Sequence, residues 1–135
     1  GSSYWIDIGS PKKYVQANID IMAGKCKIQE NDFSKQKIYT GYGCEINPNV
    51  RIIAPTYIGN NAKILPFATI GPNAVIGDNC SIDIGSKISD SILWNNVSVG
   101  SDAKVRNTII TSNNQINKNM ICKNAIYTND INKSA

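Results

Sequence analysis

Histidine is absent from the 135 residues, and the reactive side chains that remain are 4 cysteines, 10 carboxylates and 14 lysines and arginines. The cysteines, Cys26, Cys44, Cys80 and Cys122, are candidate nucleophiles or metal ligands. No two of them form a C-x-x-C pair, so their spacing gives no zinc site. A nucleophilic cysteine needs an activating partner. Proton abstraction near neutral pH favours an imidazole, which this chain cannot supply. Zinc chemistry on histidine ligands is excluded on the same ground.

The elements that would position any reactive group follow from an internal repeat. Stepping by six from Ile46 lands on Ile52, Ile58, Ile64, Ile70, Ile76, Ile82 and Ile88. Stepping by six from Val50 gives Thr56, Ala62, Ala68, Ala74, Cys80, Ser86 and Ile92, which are mostly small. This pattern predicts an all-β fold, a left-handed parallel β-helix of hexapeptide repeats. One β-branched residue per hexad points inward and stacks along the axis. The second inward position must be small, because a narrow prism has little room near its corners. Burying each isoleucine contributes roughly 1.5–3 kcal/mol before entropy is subtracted.

The corners carry their own signature. Asn49, Asn61, Asn73, Asn79 and Asn119 recur three positions after the inward apolar residue, and Gly59, Gly71 and Gly77 directly after it. Both residue types tolerate the backbone conformations of tight corners. Three hexads close a coil, which puts Cys44, Ala62 and Cys80 in one column. Cys44 and Cys80 are then two coils apart, about 9–10 Å at normal strand spacing, beyond the reach of a disulfide. They read as small core residues. After Ile88 the phase slips by one and the period becomes 17, as in ISDSILW, VRNTIIT and CKNAIYT. A tightened corner accounts for the lost residue, and about four to five coils are expected in total.

Residues before about Ile38 leave the hexad. Ser10 as N-cap and Pro11 at the first helical position open a short helix, Pro11 to Ala23, which Gly24 stops. This helix is expected to dock beside or cap the open first coil. The expected organisation is an expression scar at residues 1–3, the tail of another domain with helix and linker at 4–37, and the β-helix at 38–135.

The run Tyr4-Trp5-Ile6-Asp7-Ile8-Gly9-Ser10-Pro11-Lys12-Lys13-Tyr14, through Ala17-Asn18, resembles the end of the catalytic domain of sugar-1-phosphate nucleotidyltransferases. It is most similar to mannose-1-phosphate guanylyltransferases, where a W-x-D-I-G-x-P-x-x-Y stretch leads into a helix and a C-terminal hexapeptide β-helix follows. Ser91-Ile92-Leu93 and Thr108-Ile109-Ile110 match segments that recur there. The resemblance implies a parent enzyme that makes a nucleotide-sugar, GDP-mannose-like, and pyrophosphate from a nucleoside triphosphate and a sugar-1-phosphate. It also implies that Asp7 helps to hold Mg²⁺ in the intact parent. The family's glycine-rich nucleotide loop and first metal-binding aspartate belong to an N-terminal part that this sequence lacks, and Gly41-Tyr42-Gly43 does not replace that loop. The chain by itself is therefore expected to hold no cofactor and to catalyse nothing. It would serve assembly, docking against its own catalytic domain, or regulation.

Two other readings share the repeat. One is a subunit of a hexapeptide acyltransferase, which the missing histidine opposes. The other is the C-terminal domain of a glucose-1-phosphate adenylyl- or thymidylyltransferase. Ice binding through a flat threonine array is rejected, because the threonines form no regular ladder. The off-phase aromatics Tyr57, Phe67, Trp94 and Tyr127 are candidate interface residues; filling of the core at the shortened coils competes for Trp94 and Tyr127. A homo-oligomer is expected.

The net charge is +4 and the lysines are scattered along the sequence, with no basic stripe interleaved with aromatics. Nucleic acid is thus not an expected partner. No run of 18 apolar residues and no signal peptide are visible, so a membrane is not expected either. A reduced, cytoplasmic setting fits the unpaired cysteines.

Overall fold

A computed structural model describes residues 3–7 and 38–129. The expected helix Pro11–Ala23, Cys26 and the linker lie outside the described residues. Three faces of short parallel strands wind into a left-handed β-helix of about five turns. The first face holds β2 (Ile38–Thr40), β5 (Thr56–Ile58), β8 (Ala74–Ile76) and β11 (Ser91–Leu93). The second holds β3 (Glu45–Ile46), β6 (Lys63–Ile64), β9 (Ser81–Ile82), β12 (Ser98–Val99) and β14 (Gln115–Ile116). The third holds β4 (Arg51–Ile52), β7 (Thr69–Ile70) and β10 (Lys87–Ser89). The longer β13 (Lys104–Ile110) and β15 (Ile121–Asn129) run from the third face around a corner onto the first.

The strands are short because each must turn within a few residues, and pairing comes from the next coil. The Lys63 N–H donates to the Cys80 carbonyl at 2.9 Å, and the Ser81 N–H to the Val97 carbonyl at 3.0 Å. Inside, Ile58, Ile64, Ile70, Ile76, Ile82 and Ile88 are buried, with Ala62, Ala68, Ala74 and Cys80 at the small positions. Ile46 and Ile52 are only partly buried, because among the described residues no coil lies beneath the first one.

The period changes where the sequence slips. Thr56 pairs with Ala74, but Ala74 pairs with Ser91. The three-residue corners Ile53-Ala54-Pro55 and Gly71-Pro72-Asn73 give way to Ser89-Asp90, Arg106-Asn107 and Lys123-Asn124. Asp90, Asn107 and Asn124 turn them with φ of 49°, 49° and 55°. One inward assignment is corrected as a result. Ser91, not Ile92, follows Ala74 in the small inward column, while Ile92 faces out between Val75 and Ile109. Val75, Ile92 and Ile109 are nonetheless buried, so the outer side of the first face is apolar and shielded.

The small inward residues also satisfy the corners. The Thr56 hydroxyl donates to the Ile53 carbonyl at 2.7 Å across the longer corner. At the shorter ones Ser91 donates to the Ser89 carbonyl at 2.7 Å and Thr108 to the Arg106 carbonyl at 2.8 Å. Asn61, Asn73, Asn79 and Asn119 adopt positive φ as expected, whereas Asn49 does not. Asparagine has a second use here. The N–H groups of Tyr42, Asn60 and Asp78 each donate to the side-chain oxygen of the next coil, on Asn60, Asp78 and Asn95, at 3.1, 2.8 and 2.9 Å. Glycine at the corners divides in the same way. Gly71 has a φ of 99°. Gly77 is required by close approach instead, since a Cβ there would lie 2.7 Å from the carbonyl carbon of Trp94.

β1 (Ser3–Asp7) pairs antiparallel with β15, from Ser3 opposite Asn129 to Asp7 opposite Ala125. It covers the free edge of the last coil, the kind of edge that invites aggregation. Ser3, read from the sequence as scar, is part of this strand.

If the stacked inward column carries the stability, Ile70→Ala should cost about 2–5 kcal/mol in urea unfolding. Ile84→Ala, at a corner position 47% exposed, should change it by less than about 0.5 kcal/mol. Equal losses at the two sites would refute the column as the source of stability.

Candidate functional site

The aromatics singled out from sequence do not converge. Phe67 projects from a corner on the second face's trailing edge, 67% exposed, with a φ of 67°. Holding a phenylalanine in the left-handed region costs about 1–2 kcal/mol. Ile84 stands one coil further along the same edge, 47% exposed, in the column of Pro48 and Pro66. Trp94 begins a different corner and is 39% exposed. Tyr57 faces outward on the first face and is half-buried. Tyr127 continues the inward column after Ile110 and packs against the core. Tyr127 thus packs inward, whereas Trp94 is exposed at its corner.

A group of residues without a sequence motif does converge. Parallel register sets Lys87 beside Lys104 on neighbouring strands, and Arg106 beside Lys123. All four line one groove of about 310 Å³ on the third face. They look scattered in the sequence, yet each pair is separated by the 17-residue period that governs this half of the stack. Reading the charges at that period would have found them.

The backbone of Asp7 lies in β1 opposite Ala125. Among the described residues no group of three histidine, cysteine or carboxylate side chains could hold a metal ion. A lone carboxylate is a poor Mg²⁺ site, so these residues do not fit the ion.

The cysteines within the described residues occupy the core, and Cys44, Cys80 and Cys122 are free thiols. Cys44 donates to the Gly59 carbonyl at 3.1 Å and Cys80 to the Trp94 carbonyl at 3.0 Å. Burial pushes the Cys80 thiol up to about 11 and the Cys122 thiol up to about 12. Neither is a thiolate near neutral pH, so neither is a ready nucleophile. Because both folded-state values lie above the usual 9.0, the fold holds protons that the unfolded chain releases first. The stability from these thiols is complete below pH 9 and is lost as pH rises toward 11–12. The melting temperature should therefore fall more steeply across that range in the native chain than in the Cys80→Ala/Cys122→Ala double variant. Parallel curves would show that thiol burial does not couple to folding.

Comparison with known proteins agrees with this geometry. A search of curated proteins returned no match. Among solved structures, the N-terminal domain of CcmM, in complex with CcmN, superposes with a TM-score of 0.60 at 16% identity. That match covers 65% of this chain and 92% of the other, and it establishes the fold alone. A mutant GDP-perosamine N-acetyl transferase from Caulobacter crescentus, in complex with CoA and GDP-perosamine, scores 0.43 at 17% identity, covering 77% of this chain and 61% of that one. Serine acetyltransferase 1 from Entamoeba histolytica scores 0.42 at 18% identity, covering 83% of this chain and 47% of that one. The chain spans less than two thirds of either acetyltransferase. The profile of the GMPPB C-terminal domain matches residues 52–134, more than half of the sequence. This match places the chain in the GMPPB C-terminal domain family.

Proposed function

We propose that this chain is the C-terminal β-helix of a nucleotidyltransferase that makes a GDP-mannose-like nucleotide-sugar, and that its own task is to dock and assemble the enzyme. The observation that carries this reading is the antiparallel pairing of Ser3–Asp7 with the last coil. By resemblance, that strand is where a catalytic domain ends. Five backbone pairs tie it to the sheet, so a domain leading into Tyr4 would meet the last coil in a set orientation rather than through a free linker.

The chemistry inside the chain supports a non-catalytic role. It has no histidine. Its buried thiols are held protonated. By resemblance, Asp7 would contribute to Mg²⁺ binding only in the intact parent, with the remaining ligands supplied by the catalytic domain. Free thiols in the core go with a reducing, cytoplasmic setting. Phe67 and Ile84, neighbours along one edge, are among the exposed apolar residues that could contact a second copy, as are Tyr42 and Ile121 elsewhere.

Sedimentation equilibrium over a wide concentration range tests self-assembly. A defined dimer or trimer, weakened by Phe67→Ser, is the expected result. A strict monomer at every concentration would end self-assembly through this domain and leave docking to the catalytic domain. For the parent, activity should be highest with GTP and mannose-1-phosphate in a panel of nucleotides and sugar phosphates. A preference for ATP or dTTP with glucose-1-phosphate would replace the mannose reading.

A further inference from the structure

The cationic groove on the third face reaches the last coil at Ile121 and Lys123, apart from the Ala125–Asn129 stretch that pairs with β1, and its basic side chains point to a ligand. Neighbouring strands lie about 4.8 Å apart and alternate residues on a strand about 6.6 Å apart. Lys87, Lys104, Arg106 and Lys123 thus gather within a patch about 12 Å across at the backbone. Among the described residues no carboxylate lines the groove, and none of the four side chains is in an ion pair. Asp90 and Asp102, the nearest carboxylates in sequence, stand in the flanking corners, and Asp90 already accepts a hydrogen bond from the Asn73 amide at 3.2 Å.

Four cations this close repel one another, and a bound anion would relieve the repulsion. An arginine offers a planar fork that matches phosphoryl oxygens, and the lysines act as point charges around it. The Ser89 hydroxyl adds a neutral donor on the same wall. The volume of about 310 Å³ lies at the small end of the range for small-molecule sites. The patch spans only three coils, which is too short for the extended phosphate contacts of a nucleic acid.

We propose that this groove binds a small phosphorylated molecule carrying two adjacent phosphoryl groups, with Arg106 and Lys104 at its centre and Lys87 and Lys123 flanking. This site rests on the register of the described coils and does not depend on the reading of the parent enzyme.

Pyrophosphate and inorganic phosphate are the probes, titrated calorimetrically into the chain at constant ionic strength. Pyrophosphate should saturate a single site and bind more tightly than phosphate. The Lys104→Gln/Arg106→Gln variant should weaken it by about tenfold or more, the loss expected for charge-assisted hydrogen bonds. Lys63→Gln, on the second face, should leave it unchanged. Absence of saturation, or equal weakening by Lys63→Gln, overturns the proposal. Tighter binding of a single-stranded oligonucleotide through the same residues overturns it in favour of nucleic acid. Should the double variant fail to fold, amide shifts of the native chain on adding pyrophosphate decide. Shifts centred on Lys87–Ser89 and Lys104–Arg106 support the site, and shifts elsewhere refute it.

Discussion

A three-sided prism only a few side chains wide must be filled by what its own strands point inward, and nearly everything else in this protein follows from that limit. Each face supplies one large apolar residue and one small one per coil, so the interior is a stack of isoleucines ringed by alanine, serine, threonine and cysteine. The stack works only if successive coils stay in register. Backbone hydrogen bonds between coils impose that register, and the inward column makes a one-residue error costly, because a slip turns a whole strand's side chains to the other side.

That makes the change from 18- to 17-residue coils informative. The chain loses a residue where the loss can be absorbed, at the corner after the third face. Asp90, Asn107 and Asn124 take up left-handed conformations there, and inward hydroxyls from Ser91 and Thr108 bond the corner carbonyls. The inward columns continue unbroken across the change: Ile76, Leu93 and Ile110 stack, as do Ile88, Val105 and Cys122. Outward residues are carried along. Ile92 moves to the outer side of the first face, and cations spaced 17 apart become neighbours on the third.

The cysteines show how residue type and position can part company. Sulfur is the most reactive element left in a chain without histidine, yet Cys44 and Cys80 sit in the column of Ala62, bonded to backbone carbonyls, and Cys122 follows Ile88 and Val105 in the large inward column. Burial keeps Cys80 and Cys122 protonated and so removes their nucleophilic chemistry. The features that remain open to partners are on the outside: an apolar corner, a cationic groove and the strand that closes the last coil.

The fold was legible in the sequence because its constraint is local and periodic. Eight isoleucines in phase, small residues between them and asparagine at the corners describe a prism without any knowledge of distant contacts, and the slip after Ile88 was visible as a change of period. The core assignment of Cys44 and Cys80 followed from the same arithmetic. What the tertiary structure alone decided depends on which side a residue faces after the slip and on which strands become neighbours. Ile92 could not be oriented until the shortened corner was located. Gly77 is required by the approach of the next coil, which no local pattern records. The pairing of Ser3–Asp7 with Ala125–Asn129 joins the two ends of the sequence, and no repeat predicts it. The cationic groove is assembled from residues that the sequence keeps a full coil apart, because parallel register converts that separation into contact between neighbouring strands.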